Sequence, residues 1–119
     1  MHLKRIGSLA IAALVSTCVV VPQATAAVDG STAVISEVYG GGGNKGAPFT
    51  NDFIELYNPT DSAIDLTGWS VEYFSAKGGS GGKTTLNGSI PAGGYYLIQE
   101  GGGSTGEPLP TPDAEGGLS

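Results

Sequence analysis

The chain has almost none of the side chains on which most protein chemistry depends. Its 119 residues hold one His (His2), one Cys (Cys18), one Arg (Arg5) and only four Lys. A single cysteine excludes an internal disulfide, and one His with one Cys cannot supply the nitrogen and sulfur ligands of a zinc site. A serine nucleophile needs a His or Lys base held beside it, so that chemistry is confined to the few lysines.

The scarce residues are also gathered at one end. Lys4 and Arg5 form a basic start, and residues 6–21 are an apolar run broken only by Gly7, Ser8, Ser16, Thr17 and Cys18. Pro22 and the small residues Ala24, Thr25 and Ala26 follow, which is the A-x-A pattern of a signal-peptidase site. Residues 1–26 are therefore expected to be a signal peptide, cut after Ala26 with Ala27 as the alternative, and the remaining chain to be secreted. The run is short for a membrane span of about twenty residues. Acylation of Cys18 would call for a smaller residue than Thr17 before it, and the apolar run continues past it through Val19, Val20 and Val21.

Processing would remove every His, Cys and Arg. Residues 27–119 keep Lys45, Lys77 and Lys83 against eleven acids, a formal net charge of −8. Nucleic-acid binding draws on Lys and Arg to displace counterions from phosphates. An acidic chain with three cations is repelled by DNA and by anionic membranes, so no direct nucleic-acid partner and no membrane contact after leader removal are expected.

What is present is strand grammar. In residues 53–58 the side chains alternate, with Ile54 and Leu56 on one face and Phe53, Glu55 and Tyr57 on the other. Asn58, Pro59, Thr60, Asp61 and Ser62 then stop the ladder, because Pro has no N–H and Asn and Asp favour turns. Gly68 allows a positive φ before Trp69, and Trp69, Val71 and Tyr73 restart a period of two. A first strand is expected over 33–39 and another over 95–99, where Tyr96 and Ile98 alternate with Tyr95 and Leu97. Residues 83–86 read as a short strand, and Asn87-Gly88 and residues 91–94, including Gly94, as turns. Residues 40–50 and 75–82 read as loose Gly-rich loops, and 101–119 as loop-like. No window outside the leader has helical apolar spacing.

Three segments, VISEVYGGGGNKGAPFTNDFIELYNP (34–59), AIDLTGWSVEYF (63–74) and SIPAGGYYLIQE (89–100), resemble the lamin tail domain in its bacterial secreted form. The likeness covers about two-thirds of the chain. It implies an all-β, immunoglobulin-like β-sandwich with no catalytic role, of a kind found at the front of extracellular nucleases and other secreted hydrolases. About six strands are legible where such a sandwich has about seven or more. The domain, residues 33–119 after a lead-in at 27–32, is thus expected to lack its last strand or strands, through truncation or because another chain completes it. An open sheet of this kind leaves backbone groups unpaired, so the isolated fragment is expected to be marginal.

Several groups of residues carry side chains capable of chemistry. The glycine run 40–43 lacks the helix and the Lys-Ser/Thr that a phosphate loop requires. Glu37, Asp52 and Glu55 lie near the ends of that loop and are the residues able to collect Ca²⁺, but no D-x-D-x-D-G run accompanies them. Glu55 with Glu72 is a possible acid pair for glycoside hydrolysis without a visible cleft. Tyr57 and Tyr95, among Trp69, Tyr73 and Tyr96, could stack on sugars. The reading is of a secreted, non-catalytic accessory domain with no catalytic residues and no cofactor. Its partner is expected to be a protein or a downstream catalytic domain. The alternatives are the front of an endonuclease/exonuclease/phosphatase-type nuclease, and a glycan- or cell-wall-binding module. The structural residues are Ile54, Leu56, Trp69, Val71 and Ile98 for the core, and Asn58, Pro59, Gly68 and Gly94 for turns.

Overall fold

The computed structural model describes residues 2–5, as backbone, and 30–119. The leader's apolar run, Cys18, the 24–26 cleavage pattern and residues 27–29 of the lead-in lie outside the described residues. In chain order the strands are β1 His2–Arg5, β2 Val34–Tyr39, β3 Asn51–Tyr57, β4 Ile64–Asp65, β5 Trp69–Phe74, β6 Ser80–Thr85, β7 Ser89–Ile90, β8 Tyr95–Gly102 and β9 Ala114–Glu115. There is no helix among the described residues. One sheet has the order β2-β3-β8-β9, another β1-β5-β6, and β4 pairs with β7. All pairings are antiparallel except that of β8 with β9. The fold is an all-β, immunoglobulin-like sandwich.

Alternation decides which faces meet. Ile54 and Leu56 of β3 lie opposite Ile98 and Tyr96 of β8, and all four are buried. They pack in one cluster with Trp69 and Val71 of β5 and with Leu86. Leu66 and Ile90 extend the cluster at the small β4-β7 sheet. Each fully buried aliphatic side chain contributes about 1.5–3 kcal/mol. Burial of this kind is the main stabilising term in a chain that has no disulfide to restrain it.

Turn chemistry places the strands. Gly68 has φ 78°, and the Trp69 N–H donates to the Leu66 carbonyl at 2.9 Å, so a left-handed residue closes the turn that aims Trp69 inward. Asn58 is fully buried and organises both neighbouring turns. Its Nδ2 donates to the carbonyls of Ser62, Ile90 and Pro91 at 2.8, 3.0 and 3.0 Å, while its Oδ1 accepts from the Thr60 N–H at 2.9 Å. Pro59 follows it, half-buried, and the Gly94 carbonyl accepts from the Asn58 N–H at 2.9 Å.

The structure departs from the sequence reading at five places. β6 starts at Ser80, not at residue 83, so residues 80–82 are ladder and not loose loop. Glycine serves there because a Cβ on Gly81 would collide with the Tyr73 ring. Residues 101–119 are not loop throughout: β8 runs on to Gly102, β9 pairs with Ile98 and Gln99, and Leu118 enters the core. A two-residue strand has no period to read. The 40–50 connection is packed. Gly42 N–H donates to Asp52 Oδ1 at 2.7 Å, and a Cβ on Gly42 would fall on the backbone of Asn51 and Asp52. β2 carries a register shift between Ile35 and Glu37, which breaks its alternation and leaves Val38 half exposed. Finally, His2–Arg5 pairs with β5, a strand that hydropathy did not indicate.

Candidate functional site

With the even-numbered residues of β3 turned to the core, its odd-numbered residues form the outer face of the four-stranded sheet. Cross-strand register arranges this face in rows. Tyr39, Phe53 and Gln99 form one, Glu37, Glu55 and Leu97 the next, and Val34, Tyr57 and Tyr95 the last. The rows put rings at both ends and two carboxylates between them.

At one end the Tyr39 and Phe53 rings stack with centroids 5.4 Å apart, and Phe49 meets both edge-on at 5.7 and 5.9 Å. Phe49 is held there by a backbone bridge to Glu107, beside Gly106. This packing buries Phe53, although it sits on the outer face. At the other end the Tyr57 and Tyr95 rings lie 4.9 Å apart and tilted by 33°, with Tyr95 60% exposed. Edge-to-face and offset ring pairs of this kind contribute about 0.5–1.5 kcal/mol beyond their burial. The Tyr39 cluster is therefore a small satellite core, and the Tyr57–Tyr95 pair is an open surface.

The other rings do not join this platform. Trp69 and Tyr96 are buried in the core, and the Tyr96 hydroxyl donates to the Asn87 carbonyl at 2.8 Å. Burial holds the Tyr96 phenol above its ordinary range, and the Asp113 charge adds to that while the Asn87 bond opposes it. Tyr73 lies on β5, in the other sheet.

The acids are dispersed. Glu55 Oε1 accepts from Ser36 Oγ at 2.6 Å, and Asp52 Oδ1 is taken by the Gly42 N–H. Asp52 borders an open cleft of about 280 Å³ with Gly40, Gly42, Asn44, Gly101, Gly102 and Ser119. Glu37 sits exposed across from Glu55. Among the described residues there is no group of three or more His, Cys, Asp or Glu able to hold a metal ion. Glu55 and Glu72 stand on different sheets, and Lys45, Lys77 and Lys83 are all exposed.

The family model for the Lamin Tail Domain matches residues 26–118. The chain belongs to the lamin tail domain family. No curated protein and no solved structure matches it. The match spans both sheets of the sandwich from β2 to β9, so the aromatic rows are features carried on a lamin tail domain. The lamin tail domain is a non-catalytic immunoglobulin-like fold. No helix among the described residues is long and apolar enough to cross a membrane.

Sequence reasoning singled out Tyr57 and Tyr95 but missed the Tyr39–Phe49–Phe53 cluster. Tyr39 could not be assigned a face because both faces of 33–39 carry apolar groups, and Phe49 lay in a segment read as loop.

Proposed function

We propose that this lamin tail domain is an exported, non-catalytic interaction module, the N-terminal part of a larger extracellular protein. The observation that carries it is the outer face of the β2-β3-β8-β9 sheet, where exposed Tyr95, paired with a partly buried Tyr57, adjoins the Glu37–Glu55 row. Rigid rings beside carboxylates, mounted on strands, suit recognition of a protein surface. In residues 27–119, net acidity without arginine turns that surface away from nucleic acid. Beside a nuclease domain of the endonuclease/exonuclease/phosphatase type, this part is the passive one. The partner is a protein or the downstream catalytic domain.

Export is tested by expressing the chain in a bacterial host and determining the first residue of the protein in the medium. Ala27 is expected, and full retention in cells with residues 1–26 intact overturns it. The tyrosine pair favours glycan binding as a second reading, because 4.9 Å between rings gives a patch on which a sugar can stack. Retardation on a polysaccharide affinity gel that is lost in Tyr95→Ala supports that reading, and unaltered migration removes it.

A further inference from the structure

Asn87 and Gly88 form the corner between β6 and β7, with Leu86 before them and Ile90 after them in the core. Of the four asparagines, Asn44, Asn51, Asn58 and Asn87, only Asn87 precedes a glycine. Both corner residues are exposed. Gly88 has φ 73°, in the left-handed region, and a Cβ built on it would meet nothing within 4 Å. Neither its own side chain nor a neighbour's shields the corner.

The peptide group between these two residues is bonded on one side only. Its carbonyl, on Asn87, accepts the Tyr96 hydroxyl at 2.8 Å. Its N–H, on Gly88, donates to no acceptor among the described residues, and the Asn87 side-chain amide has no hydrogen bond there either. A free carboxamide therefore lies one residue before a free peptide nitrogen. The corner's other tie runs through the Gly88 carbonyl, which accepts the Leu66 N–H at 2.8 Å. Tyr96 is fixed in the core at 4% exposure, and the Asp113 carbonyl at 3.4 Å is its weaker acceptor. A hydroxyl donating to a peptide carbonyl stabilises the anion formed when that peptide's N–H loses its proton. Burial holds the Tyr96 phenol above its ordinary range, so it remains a donor in mildly alkaline solution, where that proton is lost more readily.

We propose that Asn87 is a self-modification site, converted to aspartate and isoaspartate with the Tyr96 hydroxyl as the activating donor. The Gly88 nitrogen gives up its proton and attacks Asn87 Cγ. The N–Cγ bond forms, the Cγ–Nδ2 bond breaks, and the proton goes to the departing nitrogen, which leaves as ammonia. Water then opens the cyclic imide. Opening at Cγ gives aspartate, and opening at the main-chain carbonyl gives isoaspartate, in which the chain runs through Cβ and Cγ. One water is consumed and one ammonia released, and nothing is oxidised or reduced. Either product adds a negative charge to the corner. Isoaspartate also lengthens the main chain between Leu86 and Ile90 and displaces the carbonyl that Tyr96 now serves. The step is slow and one-way, and it ages the folded domain.

Incubation of the purified full chain at mildly alkaline pH, with mass mapping of its proteolytic peptides, tests this. Conversion of amide to acid is expected at Asn87, with release of ammonia and separate aspartate and isoaspartate products. Asn44, Asn51 and Asn58, followed by Lys45, Asp52 and Pro59, are expected to stay intact. Tyr96→Phe keeps the ring and removes the donor. It is expected to slow the conversion at least about threefold, the worth of one neutral hydrogen bond. An intact Asn87 in the parent overturns the proposal, as does a smaller slowing or an acceleration in a folded Tyr96→Phe. A thermal transition shows whether that variant is folded. If it is not, the folded parent is compared with the same chain in urea, where the hydroxyl no longer meets the corner. The folded chain is then expected to convert at least about threefold faster, and a smaller excess or a slower rate overturns the proposal.

Discussion

Glu100 on β8 accepts a hydrogen bond from the Thr84 hydroxyl of β6 at 2.9 Å, a bond that joins the two sheets through the interior. The same oxygen, Oε2, accepts the Leu118 N–H at 3.0 Å, and Gly101 N–H donates to the Leu118 carbonyl at 2.9 Å. One buried carboxylate thereby fixes the end of β8, β6 and the C-terminal residues together. Gly116 passes so close that a Cβ there would collide with Thr84 and Glu100.

Replacing Thr84 by Val keeps the shape and removes the donor. The loss is expected to cost about 1–3 kcal/mol, because a buried acceptor gives up part of its satisfaction. Urea denaturation of both proteins measures it, and an unchanged midpoint with unchanged slope contradicts the bridge.

Asn58 makes a sharper case. Asn58→Asp is nearly isosteric, yet it sets an acceptor against three carbonyl oxygens that now receive Nδ2. Uncompensated burial of such a group costs about 3 kcal/mol or more. The variant is expected to melt far below Asn58→Ser, which leaves room for water. Equal melting temperatures would show that the three bonds do not stabilise the turn pair.

Trp69 is 7% exposed within the core, and its truncation to Ala is expected to cost about 3–5 kcal/mol. That is comparable with the whole stability of a small domain. Loss of a cooperative thermal transition is the expected outcome. A melting temperature within a degree or two of the parent would place the packing centre elsewhere.

Asp65 gives a pH prediction. The Thr67 N–H donates to Asp65 Oδ1 at 2.9 Å, and this bond, with the Thr67 hydroxyl behind it, holds the carboxyl below its ordinary range. A folded pKa below the unfolded one gives stability that is full above about pH 4 and fades as pH falls through the folded pKa. The parent should therefore exceed Asp65→Asn in stability at neutral pH, and the gap should close in acid. A gap independent of pH would show that the bond does not depend on the charge.

Much of the sandwich was legible because alternation is a strong signal where one face is buried. Ile54 and Leu56 recur two apart with Glu55 between them, Tyr96 and Ile98 recur two apart as well, and the fold turns on these four. Asn58 and Gly68 were legible as turn residues, but nothing in their identity showed that Asn58 would serve three carbonyls at once. Glu100 was invisible for a related reason: a Glu at the end of a strand reads as solvated until Thr84 and Leu118 arrive from distant positions. β6 was shortened because Ser80, Gly81 and Gly82 carry no hydropathy signal, although their small size is what the Tyr73 ring requires. The outer face was half legible. Tyr57 and Tyr95 flank unmistakable core residues, whereas the bulge after Ile35 hid the side on which Tyr39 lies.

As proposed above, this lamin tail domain is an interaction module without catalytic activity of its own. The most direct measurement incubates the processed chain with Mg²⁺ and, in turn, phosphodiester and polysaccharide substrates, following product over hours. No product above the buffer control is expected. Product that rises in proportion to chain concentration, through purification to constant specific activity, would overturn that proposal.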